Sequence, residues 1–303
     1  MLQAVLANPN HPQYGVATIP FPVKNSDYES TMDLLEPLEI GDAVKQDCRI
    51  EEIRSELSAL KRLERSNANL DEIDYLAKRL DSFDEYEKAQ FQGMASRLDL
   101  HGIDEFINLS FCCQEATVAT DFRGLESLGR RHYLTMNGGS AAVEEMKNKD
   151  FREIALALLE GAVGRVTPYG VVYDNDFEMA QLYDGRNFPQ YRYEDCLMEV
   201  EMSSRYAPPD SPAAYLYLPV SQTQIERTMF GFGTRFSAYR ASSCSHITTT
   251  DSSVSCTTRP EFKSSPPPAS TISSRGTIPT ASLPSCSSAI TTLPNGPVAN
   301  RVR

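Results

Sequence analysis

The chain has 303 residues, enough for two or three domains with a buried core, and a formal net charge of −12. The charge is unevenly placed: through Phe230 there are 22 Lys and Arg against 39 Asp and Glu, net −17, whereas Gly231 onward carries 7 basic and 2 acidic residues, net +5. A field of that sign repels nucleic acid and anionic membranes and attracts basic surfaces, so neither direct nucleic-acid binding nor membrane association is expected.

The seven cysteines, Cys48, Cys112, Cys113, Cys196, Cys244, Cys256 and Cys286, form no CxxC pair and no regular spacing. That pattern argues against a disulfide framework. The opening "MLQAVLANPNHPQYG" lacks a basic, apolar leader, and no stretch approaches the ~20 apolar residues of a membrane span. A reduced, cytoplasmic protein is expected.

In chain order, "LQAVLA" (2 to 7) and "GVATIPFPV" (15 to 23) read as strands closed by turn residues. "SDYESTMDLLEPL" (26 to 38) reads as a helix capped by Ser26 with Glu29 three residues on, and "CRIEEIRS" (48 to 55) as another strand. A helical block follows. Asn69 precedes a helix whose apolar stripe is Leu70, Ile73, Leu76 and Leu80, with Asp71, Asp74, Lys78 and Asp81 expected on the opposite, solvated side. Ser82 and Glu85 have capping-box spacing before a helix that packs through Phe91, Met94, Ala95 and Leu98. A third helix starts near Gly102 and buries Ile103, Phe106 and Ile107.

Beyond it, "ATVATDF" (116 to 122) reads as a strand, and 124 to 136 and 141 to 161 as helices. Segments 164 to 175, 196 to 204 and 213 to 221 read as strands, and a last helix starts at Ser221. From Ala241 to Arg303, 33 of 63 residues are Ser, Thr or Pro, a composition that buries too little apolar surface to offset the entropy of ordering. The expected class is α+β: a small mixed N-terminal domain (1–60), an acidic helical subdomain (61–112), a mixed α/β C-terminal domain (113–230) and a disordered tail (231–303), native or out of frame.

Chemistry-bearing motifs are scarce. The four histidines lie in separate segments, without HExxH, and "MNGGS" (136 to 140) lacks the context that cradles phosphate. Cys112 and Cys113 beside Glu115 admit a thiol site but fit small core residues better. Asp174, Asp176 and Asp184 are close enough in sequence to hold a hard cation, yet the EF-hand pattern fails and turn-forming roles account for them. No GxSxG elbow is present. No enzyme activity, cofactor or metal is expected; a metal-dependent enzyme built on the three aspartates is the rival reading.

The main signal is carboxylate density: 11 acids against 5 bases between Glu64 and Glu105. Glu64, Asp71, Glu72, Asp74, Asp81, Asp84, Glu85, Glu87, Asp99, Asp104 and Glu105 are the candidate partner-binding acids. Solvated helix faces are the ordinary explanation for such acids, and what argues against it here is their density on a subdomain with little surface to spread them over.

The run "LDEIDYLAKRLDSFDEYEKAQFQGMASRLDLHGIDEFINL", followed by a strand and then "LESLGRRHYL", resembles the antirestriction protein ArdA family. Matching positions are Leu70, Glu72, Ile73, Leu76, Leu80, Phe91, Ile103, Phe106, Ile107, Asn108, Leu128 and Gly129, and the opening "LQAVLANPNHPQYG" is similar to the family's first strand. The resemblance covers roughly residues 2 to 165. Asp74 replaces the family's usual Asn, and the strands beyond Gly164 and the tail have no counterpart in its short members. The resemblance implies a non-catalytic protein of conjugative elements, an elongated acidic homodimer shaped like bent B-form DNA. Such a protein occupies the DNA groove of a type I restriction-modification enzyme, on its methyltransferase core, with the carboxylates standing in for phosphates. The dimer contact is expected after Cys113, in the less acidic segment. The alternative is an acidic protein-binding module of a mobile element with a basic protein partner.

Overall fold

In the computed structural model, residues 2–194, 196–204, 213–231 and 239–246 are described. Three small antiparallel sheets and a set of mostly short helices give a mixed α+β class. The first sheet has the order β2-β1-β3-β4, from β1 (Leu2–Ala7), β2 (Val16–Phe21), β3 (Cys48–Arg54) and β4 (Asn67–Ala68). β1 lies centrally, pairing Ala4 with Ile19 on one side and with Ile53 on the other. Alternation does the rest: Leu2, Ala4 and Leu6 turn inward with Ile19, Phe21, Ile50 and Ile53, while their neighbours face outward.

Between β2 and β3 runs α1 (Tyr28–Leu35), whose Tyr28, Thr31 and Leu35 are buried. The capping box expected from Ser26 and Glu29 does not form: Asp27 is the N-cap, without a side-chain capping bond. The helical block is α2 (Leu70–Asp81), α3 (Glu85–Arg97) and α4 (Ile103–Leu109). Asn69 caps α2 as expected, accepting from the Asp71 N–H while the Glu72 carboxylate accepts from the Asn69 N–H. At α3 the box is shifted: Asp84, not Ser82, is the N-cap and Glu87 its partner. Phe91, Met94 and Ala95 are buried, but Leu98 ends the helix exposed. Edge-to-face contacts, 5.9 Å from Phe83 to Phe91 and 5.7 Å from Phe91 to Phe106, knit the block together.

One apolar core draws on all three expected domain segments, from Leu2 of the sheet through Phe91 and Phe106 to Val118, Val172 and Tyr183. A smaller cluster belongs to the second sheet, β5-β7-β6, formed by β5 (Thr117–Ala119), β6 (Arg165–Thr167) and β7 (Gly170–Tyr173). It packs under α5 (Leu125–Met136) and α7 (Phe151–Gly161). The single helix expected over 141 to 161 is two: α6 (Val143–Lys147) ends, and Asp150 restarts α7 by accepting from the N–H groups of Arg152 and Glu153. The third sheet, β10-β8-β9, comprises β8 (Met198–Ser204), β9 (Ala214–Leu218) and β10 (Tyr239–His246), with α8 (Gln222–Gly231) after β9. Within the segment expected to be a disordered tail, Tyr239–His246 therefore pairs as a strand; 232–238 and 247–303 lie outside the described residues. No described helix is long and apolar enough to cross a membrane.

Helices α5 and α7 cross so closely that a Cβ on Gly129 would sit 1.7 Å from the Phe151 carbonyl oxygen. Gly129→Ala is expected to cost about 3 kcal/mol, since backbone cannot yield as a side chain does. Gly161→Ala, which opens onto empty space, is expected to be neutral or stabilising by up to about 1 kcal/mol. Urea denaturation of the two variants checks both.

Candidate functional site: the acidic helical block and its aromatic cleft

Helix α2 is the centre of the candidate site, and it is buried on two sides. Leu70, Ile73, Leu76 and Leu80 enter the core as their spacing requires. On the opposite side only Asp81 is solvated as expected; Asp71 and Lys78 are half-buried and Asp74 is buried. Segment 183–193 runs along this side and meets it at every third residue of the helix. The Tyr183 hydroxyl donates to Glu72 (2.9 Å), the Tyr75 hydroxyl to the Pro189 carbonyl (2.7 Å), the Tyr191 hydroxyl to the Lys78 carbonyl (3.2 Å) and the Tyr193 hydroxyl to Asp81 (2.7 Å).

Two candidate acids are thereby corrected from surface to interior. Glu72 is 1% exposed and accepts from the Asn69 N–H (2.7 Å), Gln46 Nε2 (3.1 Å) and the Tyr183 hydroxyl. Burial pushes its carboxyl up despite these donors. Asp74 is 7% exposed, accepting from the Val23 N–H (2.7 Å) and pairing with Lys78 Nζ at 2.8 Å. Burial raises it too, against the pull of those two partners. Asp71, partly buried, receives the Tyr28 hydroxyl (2.8 Å) and Arg227 Nη2 (2.9 Å). The buried Arg227 also donates to the Gly41 and Asp42 carbonyls, so α8 is fastened to α2 and to the loop before β3 by one guanidinium.

The other candidates divide by local duty. Glu64 is half-buried and accepts from the Ile53 N–H; Glu87 and Glu105 are half-buried and close helix N-termini. Asp81, Asp84, Glu85, Asp99 and Asp104 are exposed. Asp81, Asp84 and Glu85 gather at the α2–α3 turn, and Asp99 and Asp104 lie beyond the far end of α3, a helix about 20 Å long at 1.5 Å per residue. Exposed acids outside the candidate set join them: Asp27, Glu29, Asp33, Glu36 and Glu39, on and around α1. Their signal was available, because residues 25 to 44 contain no Lys or Arg.

Above the polar side of α2 lies a cleft of about 220 Å³ between α2, segment 186–194, β9 and α8. Its walls are aromatic: Tyr75, Phe188, Tyr191, Tyr215 and Tyr217. Tyr75 stacks on Phe188 with centroids 4.8 Å apart and meets Tyr191 edge-on at 6.3 Å. The pairs Asp71–Arg227 and Asp74–Lys78 line it, and Glu194, held by Asn25 Nδ2 at 3.1 Å, lines it as well. Beneath Tyr191, Arg79 is buried with its guanidinium 4.5 Å from that ring and 4.2 Å from Phe111.

The remaining candidates are structural. Cys112 and Cys113 are buried, and burial raises both thiols, which leaves them unreactive core groups. Asp174 pairs with Arg97 (Nε at 3.1 Å), whereas Asp184 accepts from the Arg186 and Asn187 N–H groups of its own turn. Among the described residues, no group of three His, Cys, Asp or Glu is placed to hold a metal ion. No protein-family model and no curated protein matches the chain.

Two predictions follow from the burial of α2. Arg227→Met leaves Asp71 with only the Tyr28 hydroxyl and two carbonyls without this donor, and should cost about 3 kcal/mol in denaturant unfolding, the usual penalty for breaking a buried pair. Glu72 titrates above its ordinary 4.5 when folded, so its contribution is fully present below that value and lost as pH rises through the folded pKa. The parent protein should therefore gain stability relative to Glu72→Gln as pH falls from neutral through the raised folded pKa toward 4.5. Urea unfolding across that range gives the answer, and a difference of opposite slope would refute the assignment.

Proposed function

We propose that the protein is a non-catalytic, acidic antirestriction protein of the ArdA type, acting in the cytoplasm as a homodimer. It occupies the DNA site of a type I restriction-modification enzyme through carboxylates that stand in for phosphates. The observation that carries this reading is the distribution of exposed acid: α1 and its flanks present five carboxylates in a stretch free of basic residues, and the two ends of α3 present Asp81, Asp84 and Asp104, with Glu85 and Asp99 beside them paired to Lys88 and Arg62. An enzyme that binds DNA through Lys and Arg gains from counterion release, and a carboxylate surface draws on the same electrostatic gain. Glu72 and Asp74, being interior, do not belong to that surface; Asp33, Glu36 and Glu39 replace them.

The test neutralises Asp33, Glu36, Glu39, Asp84 and Glu85 together, as Asn or Gln. Each exposed charge contributes about 0.5 kcal/mol, so the set should weaken binding to a purified methyltransferase core by roughly 60-fold, with circular dichroism unchanged. Binding should also weaken as salt rises, because exposed charges are screened within ~8 Å at physiological ionic strength. Unchanged affinity in the folded variant would sink the DNA-surrogate reading. Binding that DNA does not compete for would point instead to an acidic module for some other basic protein.

A further inference from the structure

The aromatic cleft has a use that surface carboxylates alone do not supply. At about 220 Å³ it is smaller than the 300–1,000 Å³ typical of drug-sized ligands and suits one inserted side chain. Its two internal ion pairs cancel, because Asp71 faces Arg227 at 2.9 Å and Asp74 faces Lys78 at 2.8 Å. What remains to receive a guest is the ring faces, the Glu194 carboxylate and the Tyr215 ring on β9, with Arg186 at the exposed edge. Ring faces carry the negative side of a quadrupole and attract cations. The surrounding field, from a chain that is −17 through Phe230, has the same preference. A planar guanidinium also stacks on tyrosine, as Arg79 does on Tyr191 in the layer beneath, whereas a lysine ammonium is a strongly hydrated point charge.

We infer that the cleft between α2, β9 and α8 is a receptor for a single arginine side chain of the basic partner, the guanidinium lying among Tyr75, Tyr191 and Tyr215 with Glu194 as its counter-ion. This rests on the proposed function for the identity of the partner, since an enzyme that holds DNA phosphates presents such arginines. It adds a specific contact to an otherwise diffuse electrostatic surface. The cleft is preorganised: Tyr75, Tyr191 and Tyr217 are held through their hydroxyls by Pro189, Lys78 and the Tyr191 N–H, so the walls stand before the guest arrives.

The experiment titrates the full chain with a hexa-arginine and a hexa-lysine peptide by calorimetry, with tyrosine fluorescence as a second readout because the chain has no tryptophan. Tyr215→Val should weaken arginine-peptide binding about ten-fold, Tyr215→Phe, which keeps the ring, should stay within about two-fold, and the lysine peptide should bind less tightly than the arginine peptide. Glu194→Gln should weaken the arginine peptide as well. The variant neutralised at Asp33, Glu36, Glu39, Asp84 and Glu85 is run in parallel. If peptide affinity follows Tyr215 and Glu194 while that surface variant still inhibits its target, the cleft stands and the DNA-surrogate reading falls. If affinity follows only the surface acids and is the same for Tyr215→Val and for lysine, the cleft proposal is overturned while the surface reading survives.

Discussion

Glu72 accepts three hydrogen bonds out of reach of water, and each comes from a different part of the chain: the Asn69 N–H at the start of its own helix, Gln46 in the loop before β3, and Tyr183 more than a hundred residues later. A buried carboxylate is tolerable only when its lone pairs are satisfied, so the three segments are fixed relative to one another by one group. Asn108 repeats the device nearby. Its Oδ1 accepts from the Leu182 and Tyr183 N–H groups at 2.8 and 2.7 Å, and its Nδ2 donates to the Tyr183 carbonyl at 3.1 Å, so that α4 treats the passing chain as a neighbouring strand. Segment 183–193 is thereby pressed onto α2, and the cleft exists because it is.

The apolar half of this arrangement was legible and the polar half was not, for a physical reason. Spacing of Leu70, Ile73, Leu76 and Leu80 locates the helix and its core face, and Asn69 with Glu72 locates its start, because both signals are local. The same rule puts Asp71, Asp74 and Asp81 on the solvent side; Asp81 is exposed there, but Asp71 and Asp74 are not, because that holds only where nothing else in the chain covers the side. Tyrosine hydroxyls and Arg227 cover much of it, and their partners lie 75 to 156 residues away in sequence for Tyr191, Tyr193 and Arg227 acting on α2 and for Asn108 on Tyr183. A single sequence carries no marker for a pairing of that range. Aromatic density between Tyr183 and Tyr193 was visible, but not what it would pack against.

Glycine at 129 teaches the complementary point. In the sequence it is one of the positions that carry the resemblance; in the structure it is where two helices touch backbone to backbone, with no room for a methyl group. Such a position is demanded by shape alone, so it says that the α5–α7 pair is built to a tight crossing and nothing about a partner. By the same logic Glu72, another matching position, is accounted for by the three donors around it. Apolar spacing, a close-packed glycine and an internal carboxylate are each accounted for by packing within the fold, and none of them requires a partner.

Net charge and surface field are therefore separate quantities here. Asp71 and Asp74 each lie within 3 Å of a cation of their own chain, and at distances long compared with that separation a paired charge contributes little to the potential outside. Glu72, raised by burial, contributes less again whenever it holds its proton. Glu85 and Asp99 are likewise paired, with Lys88 Nζ and Arg62 Nη1 at 2.7 Å each, so the carboxylates that a distant basic surface senses are the five on α1 and its flanks together with Asp81, Asp84 and Asp104. Counting acids along a helix overstates the field on the side of α2 and understates it on α1, where five exposed acids share a stretch with no basic residue. A basic partner would accordingly be steered by α1 and the α2–α3 turn, and meet α2 itself only through the aromatic cleft that covers it.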